Sequence, residues 1–263
     1  MPDSAYLCVQ AVTRTFTSSS GSITAIQDVS FDVQRGTFLS ILGPSGCGKS
    51  TLFNLIAGLL TPSCGDVSIG GQSVINRPGQ VGYMLQKDLL LPWRSILDNI
   101  TLGQTLHGHS RREAREMAQS LIERCGLHGF EQSRPHQLSG GMRQRAALLR
   151  TLLTGQDVLL LDEPFGALDA ITRLQLQLLL TSIWQEMHKT ILFVTHDVDE
   201  ALLLSDEILL LSARPGRILQ RFQVNMPPRP RTPAMLADPT AAAQKTEIME
   251  LLWKEVGNHD AIQ

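Results

Sequence analysis

The sequence predicts an α/β fold, on three observations. Short, mostly apolar runs recur at residues 37–42, 158–161 and 191–195, and continuous rather than alternating apolar strands belong to parallel sheets covered on both faces. Segments with helical periodicity separate these runs, the pattern of an alternating strand–helix core. The first run ends in GPSGCGKST at residues 43–51, a glycine-rich turn between strand and helix. A long helical stretch at about residues 87–154 divides the core in sequence.

The elements follow in order. Residues 6–16 and 26–33 read as strands on either side of a Ser/Gly-rich turn at 18–22. Residues 37–42 make a short apolar strand that stops at Gly43. Residues 50–59 then read as a helix closed by Thr61-Pro62, because the residue before a proline is pushed out of the helical region. Another short strand covers 81–85. From 95 to 153 the pattern is helical, with 111–125 the clearest amphipathic stretch. Strand signals return at 158–161, 191–195 and 207–212, separated by helices over 173–187 and 198–204. The PPRPR run at 227–231 reads as a stiff linker and 240–256 as a terminal helix. No internal repeat is apparent.

At roughly 100–200 residues per domain, 263 residues make one large domain or two small ones. Apolar content of 43% and charge of 18% suit a globular protein with a real core. A net charge of −2 leaves no footprint for a polyanion, so nucleic acid is not expected as a partner. The opening MPDSAYLCVQ has no positive flank followed by a long apolar stretch, and no signal peptide is expected. The most apolar segments, 158–161 and 201–213, fall short of the roughly 18 uninterrupted residues of a membrane span, and Asp206 and Glu207 break the second. Any membrane connection therefore runs through a partner. Cys8, Cys47, Cys64 and Cys125 form no CxxC pair and read as reduced thiols rather than a disulfide frame or zinc site.

Three segments carry chemistry. The pattern Gly43-x4-Gly48-Lys49-Ser50 is a phosphate-binding loop in its proper strand–helix context. Its glycines let backbone N–H groups turn onto phosphate oxygens, and the positive end of the following helix favours the anion. Gly43, Pro44, Ser45, Gly46, Cys47, Gly48, Lys49, Ser50 and Thr51 are thus expected to hold a nucleotide. Lys49 reaches the β- and γ-phosphates and the Ser50 hydroxyl ligates Mg²⁺. Cys47, as a member of the phosphate-facing loop, is expected to be alkylated only when ATP is absent. Residues 158–161 form a buried strand that delivers Asp162 and Glu163 to its carboxyl end, where ligands collect in open α/β sheets. Asp162 is placed to hold the Mg²⁺ and Glu163 to polarise the attacking water. The third segment is Leu138-Ser139-Gly140-Gly141-Met142, where a serine opens a helix with two glycines in its first turn. That makes a second anion-binding helix start.

With LSGGM and MRQR following it, the chain resembles the ATP-binding cassette (ABC) ATPase family, whose signature is LSGGQ; the resemblance reaches to about residue 221. Met142 stands where many members carry Gln, and since the SGG backbone does the phosphate work little loss is expected. The resemblance implies a P-loop NTPase (RecA-like) core with an antiparallel β subdomain and an inserted all-α subdomain. It implies an ABC ATPase domain over 1–231, with the helical insert at about 87–154 and a C-terminal tail at 232–263. It also implies a head-to-tail dimer, most simply a homodimer, in which Ser139, Gly140 and Gly141 of one subunit close over the ATP held by the other. Single residues match further family positions. Gln86 resembles the glutamine that senses the γ-phosphate and meets the metal. Asp169, in GALDA, resembles the loop lining the dimer seam beside Glu163, and His196, in FVTHD, the switch histidine. Phe16 sits where an aromatic ring stacks on adenine, with an edge-strand aromatic the alternative.

Other segments narrow the resemblance. LLLPW at 89–93 follows Gln86 and offers apolar side chains for a partner, in importers the coupling helix of a membrane permease; packing of the helical insert is the alternative. LLLPWRSILDNI, HQLSGGMRQR, FVTHDVDEALLLSDEILLLSARPGRI and PPRPR together resemble the ATPases of nitrate, sulfonate and taurine importers, a group that also serves vitamin-precursor importers. The expectation is an ATPase on the cytoplasmic face of the cell membrane, bound to an integral permease and served indirectly by a solute-binding protein. An ABC exporter subunit and a soluble ABC ATPase acting on DNA or the ribosome are the alternatives. The SRPHQ lead-in and the compact, slightly acidic chain favour import.

Overall fold

The computed structural model describes residues 5–19, 21–166 and 168–260. The chain divides into a discontinuous unit, drawn from residues up to Gln80 and from Lys189 onward, and a continuous unit of Val81–His188. In chain order the strands are β1 (Leu7–Ser18), β2 (Gly21–Val33), β3 (Phe38–Leu42), β4 (Cys64–Ile69), β5 (Gln72–Ser73), β6 (Gly82–Met84), β7 (Val158–Asp162), β8 (Thr190–Val194), β9 (Glu207–Leu211) and β10 (Ile218–Gln223). The helices are α1 (Lys49–Ile56), α2 (Ile96–Ile100), α3 (Leu102–Leu106), α4 (Arg111–Arg124), α5 (Gly140–Leu152), α6 (Ala170–Met187), α7 (Val198–Leu204) and α8 (Pro239–Asp260).

In the discontinuous unit β3 lies between β8 and β9 and runs parallel to both, with Phe38 opposite Ile191 and Leu39 opposite Glu207. Every residue of β3 and β8 is buried, which is why both read as predominantly apolar runs. Ser40 is the polar exception in β3, and its hydroxyl pairs with that of Ser205 instead of being left unsatisfied. Strand β10 adds an antiparallel edge to β9. A second sheet, in the order β2-β1-β4-β5, is antiparallel throughout. No strand signal marks β4, β5 or β10 in the sequence. The first two lie in CGDVSIGGQS, too polar and glycine-rich to declare themselves, and take their order from pairing onto β1.

The PPRPR run, read from the sequence as a stiff linker, is docked through its two arginines. Arg231 is 7% exposed; it donates from Nη1 to the carbonyls of Leu202 and Ser205 and from Nε to that of Pro227. Arg229 donates to the Leu204 carbonyl and pairs with Asp206, whose other oxygen accepts from Phe38 N at 2.9 Å. The last carbonyls of a helix have no partners within it, and the two guanidinium forks supply them for α7. Beyond this staple α8 packs Ile248, fully buried, into a cluster with Leu42, Leu202, Leu210 and Phe222. Lys245 on α8 donates to Asp199 in the first turn of α7 at 2.8 Å.

In the continuous unit β6 and β7 pair in parallel, Gly82 opposite Leu159. The segment expected to be helical carries α2 to α5, each begun by a local signal where one exists. Ser95 caps α2, Ser110 and Glu113 form a reciprocal capping box on α4, and Ser139 caps α5. The buried Asn99 pins the LLLPW loop by accepting from Leu91 N and donating to the carbonyls of Leu91, Arg94 and Ser95. In that loop Leu90 is buried, while Leu89 and Trp93 are 52% and 69% exposed. Among the described residues no helix is long and apolar enough to cross a membrane.

Candidate functional site

The predicted site residues fall into two groups, one in each unit. In the discontinuous unit β3 runs into the phosphate loop and α1 starts at Lys49. Gly48 sets the turn: its φ is +107°, and a Cβ there would stand 2.5 Å from Ile26 Cγ2 and 2.9 Å from the Ala25 carbonyl oxygen. Only glycine fits. Lys49 is 8% exposed and its ammonium donates to the carbonyls of Gly43 at 2.7 Å and Pro44 at 2.9 Å. The charge is therefore held across the loop, where a phosphate oxygen would compete for the same protons. Ser45, Gly46 and Ser50 are exposed, and Pro44 and Thr51 half-buried.

Cys47 departs from expectation. Its side chain is 1% exposed, and burial pushes the thiol up in pKa against the lowering charge of Lys49. A thiolate is the reactive form, so burial and the raised pKa together protect this thiol. Its sulfur packs inside the loop, where the Lys49 ammonium donates to it at 3.8 Å.

His196 follows β8, beside β3, and its side chain is exposed. Its neighbours are fixed. The Thr195 hydroxyl donates to the buried Glu200 carboxylate at 2.6 Å, and Asp197 caps α7 by accepting from Asp199 N and Glu200 N. Phe16 lies on β1 opposite Ile23, 41% exposed, with the Arg14 guanidinium 4.6 Å from its ring centre. One side of the ring thus carries a cation.

In the continuous unit β7 ends at Asp162, only 6% exposed. Burial, and then the charge of Asp162, push the Tyr83 hydroxyl up in pKa. Glu163 follows with φ +47°, a left-handed backbone that costs a side-chain-bearing residue about 1–2 kcal/mol and that collects at functional sites. Its Oε2 accepts from Gln86 Nε2 at 3.0 Å. Two residues expected from the sequence to act on water and on the γ-phosphate are thus bonded to each other. Ser139 accepts from Met142 N at 3.3 Å, with Gly140 exposed and Gly141 half-buried in the first turn of α5. Asp169 caps α6, accepting from Thr172 N and Ile171 N, and these bonds, Thr172's foremost, hold its carboxyl below the usual range.

Three residues of α5 were not singled out by sequence reasoning. Arg143 donates to Asp88 Oδ2 at 3.0 Å and to the Leu138 carbonyl at 2.8 Å. Arg150 donates to the carbonyls of Asp88 and Leu89, and Gln144 to that of Pro164 at 2.9 Å. The helix that starts at the signature therefore grips both the loop after Gln86 and the turn after Glu163. Arg143 and Arg150 are two helical turns apart on one face, and that spacing was the available signal.

The chain is similar to known proteins over most of its length. A family model described as ABC transporter matches residues 26–166. The taurine import ATP-binding protein of Rhizobium johnstonii is 47% identical over 204 residues, covering 78% of this chain and 78% of its own. An uncharacterised ABC transporter ATP-binding protein of Bacillus subtilis is 42% identical over 253 residues, 96% of each chain. Among solved structures, the dimeric post-hydrolysis state of an ATP-binding cassette bound to ADP and phosphate is similar with a TM-score of 0.75 and 29% identity. It covers 83% of this chain and 98% of that one.

Proposed function

This chain belongs to the ABC transporter family, as an ATPase coupled to transport, and from that premise we propose that it powers an importer for a small solute. The solute class is of the taurine, sulfonate or nitrate kind, or a vitamin precursor, carried through a separate membrane permease. The import reading is supported by the 47% identity to a taurine import ATP-binding protein. The ATPase chemistry rests on one observation above others, the Gln86–Glu163 hydrogen bond beside the end of β7.

In this reading the N–H groups of residues 44–51 and the Lys49 ammonium bind the phosphates of ATP. Ser50, Asp162 and Gln86 would hold Mg²⁺, and their hydroxyl, carboxylate and amide oxygens are the hard donors that ion takes. When bound, it neutralises charge on the β- and γ-phosphates. Glu163 orients water for in-line attack at the γ-phosphorus; the bond to the bridging oxygen breaks and ADP leaves with the electron pair. His196 steadies the γ-phosphate, Phe16 stacks on adenine, and Ser139, Gly140 and Gly141 of the partner subunit close the site in a head-to-tail homodimer. Asp169 lines that seam. Because each ATP touches both subunits, it stabilises only the closed dimer. The exposed Leu89 and Trp93 face the permease, which holds the protein on the cytoplasmic side of the membrane, and a solute-binding protein delivers cargo to the permease.

The test is Glu163→Gln, whose amide oxygen still accepts from Gln86 while the basic carboxylate is gone. Hydrolysis should fall by about 10²–10⁴, and gel filtration should show a dimer with Mg·ATP and a monomer without. An active variant that stays monomeric with ATP would overturn the reading.

A further inference from the structure

The turn after β9 stands against the phosphate loop. Strands β3 and β9 are parallel with Leu42 opposite Leu210, so their carboxyl ends emerge together and the 43–48 loop and the 212–217 turn are neighbours. The turn is locked on three sides. Gly216 N donates to the Ala25 carbonyl and Gln27 N to the Gly216 carbonyl, both at 2.9 Å, tying it to β2. Ala213 N donates to Glu255 on α8 at 2.9 Å. Gly216 lies so close to the Cys47 carbonyl oxygen that a Cβ there would come within 2.1 Å.

Two arginines leave this turn, and they differ. Arg217 donates to Gln27 Oε1 at 2.6 Å. Arg214 is exposed, and its Nη2 lies 3.5 Å from where a Cβ on Gly46 would stand, inside the phosphate loop. Among the described residues no carboxylate or carbonyl accepts from it. A guanidinium carries five donors and a permanent charge. Held over a loop that gathers anions, its complement is a phosphate oxygen.

We propose that Arg214 is a further nucleotide-binding residue, a cation that meets the α/β-diphosphate shared by ATP and ADP. The assignment rests on the reading of residues 43–51 as the phosphate loop and of His196 as the γ-phosphate contact. Strand order gives the side: β8, which leads to His196, flanks β3 on one side, and β9, which leads to Arg214, flanks it on the other. The turn is bridged to β2 at Ile26, and β2 pairs with β1, which carries Phe16. Arg214 therefore stands on the base side of the loop, away from the bond that breaks.

The experiment is calorimetric titration of the full chain with ADP and with a non-hydrolysable ATP analogue. Arg214→Ala and Arg214→Gln should each weaken both ligands alike, by about 10-fold for one lost charge-assisted contact, and Arg214→Lys should keep part of the affinity. Arg217→Ala should change neither. Unchanged affinity in the Arg214 variants overturns the proposal, and so does a loss confined to the ATP analogue, which would put Arg214 at the γ-phosphate. Lys49→Ala separates the levels. If it abolishes ADP binding while the Arg214 variants bind normally, only the proposal fails; if it leaves ADP binding intact, the phosphate-loop reading fails as well.

Discussion

Arg231→Ala removes one buried fork from the C-terminal staple, and its cost can be worked from the bonds. Three are lost: Nη1 to the carbonyls of Leu202 and Ser205, both 2.7 Å, and Nε to that of Pro227, 2.8 Å. Hydrogen bonds from a charged donor are worth about 1.5–3 kcal/mol each, so the gross loss is about 4.5–9 kcal/mol. Two effects reduce it. Burial, aided by the neighbouring charge of Arg229 and opposed by Asp206, holds the guanidinium pKa down to about 10, so the variant recovers the cost of keeping that charge inside. Water entering the vacated space also bonds part of the three carbonyls. The net cost is about 3–5 kcal/mol, the range for removing one side of a buried charged contact. At about 2 °C per kcal/mol for a chain of this size, the melting midpoint should fall by about 6–10 °C. Scanning calorimetry at neutral pH measures it, and Arg231→Lys should recover only part because an ammonium has no fork. A midpoint within about 1 °C of the parent would refute the docked C-terminal segment.

Three further predictions follow from the site. With iodoacetamide on the native protein, Cys64 should be modified and Cys47 spared with or without ATP, as read by peptide mass spectrometry; Cys47 reacting as fast as Cys64 would mean that the loop opens in solution. Asp169→Ala should lower thermal stability at neutral pH. Because the cap holds the folded carboxyl below its ordinary 3.8, its contribution is complete above that value and fades as pH falls through the folded pKa. The gap between variant and parent should therefore close in acid, and a gap that widened would contradict the cap. Gly48→Ala should abolish nucleotide binding, and adding Ile26→Ala should not restore it, because the positive φ and the Ala25 carbonyl remain. Recovery in the double variant, read by ADP titration, would mean that the turn tolerates a side chain.

Legibility differed with the source of each element's order. Strands β3, β7 and β8 are buried along their whole lengths and announce themselves as apolar runs whatever surrounds them. The phosphate loop and the Ser139 cap are local devices, written where they act. Strands β4, β5 and β10 derive their order from a neighbour, so local composition carries no trace of it. Arg229 and Arg231 misled for a related reason. Their partners are main-chain carbonyls of α7, and a run of prolines and arginines reads alike whether it hangs free or closes a helix end. The close approach of Gly216 to the Cys47 carbonyl joins residues far apart in sequence, and the left-handed backbone of Glu163 has no local signal either.

The discontinuity of the first unit sets a timetable for synthesis. Phe38 waits for Ile191 before β3 has its first parallel neighbour. At about 5–20 residues per second, translation needs roughly 8–30 s to cover that distance. The continuous unit, Val81–His188, is complete on the ribosome before β8 emerges. Strand β9, the 212–217 turn, and Glu255 of α8 that anchors it come later still. Through that interval β3 and the loop after it lack the two parallel neighbours that flank them in the folded unit. An apolar strand buried along its whole length in the folded unit is meanwhile left without cover.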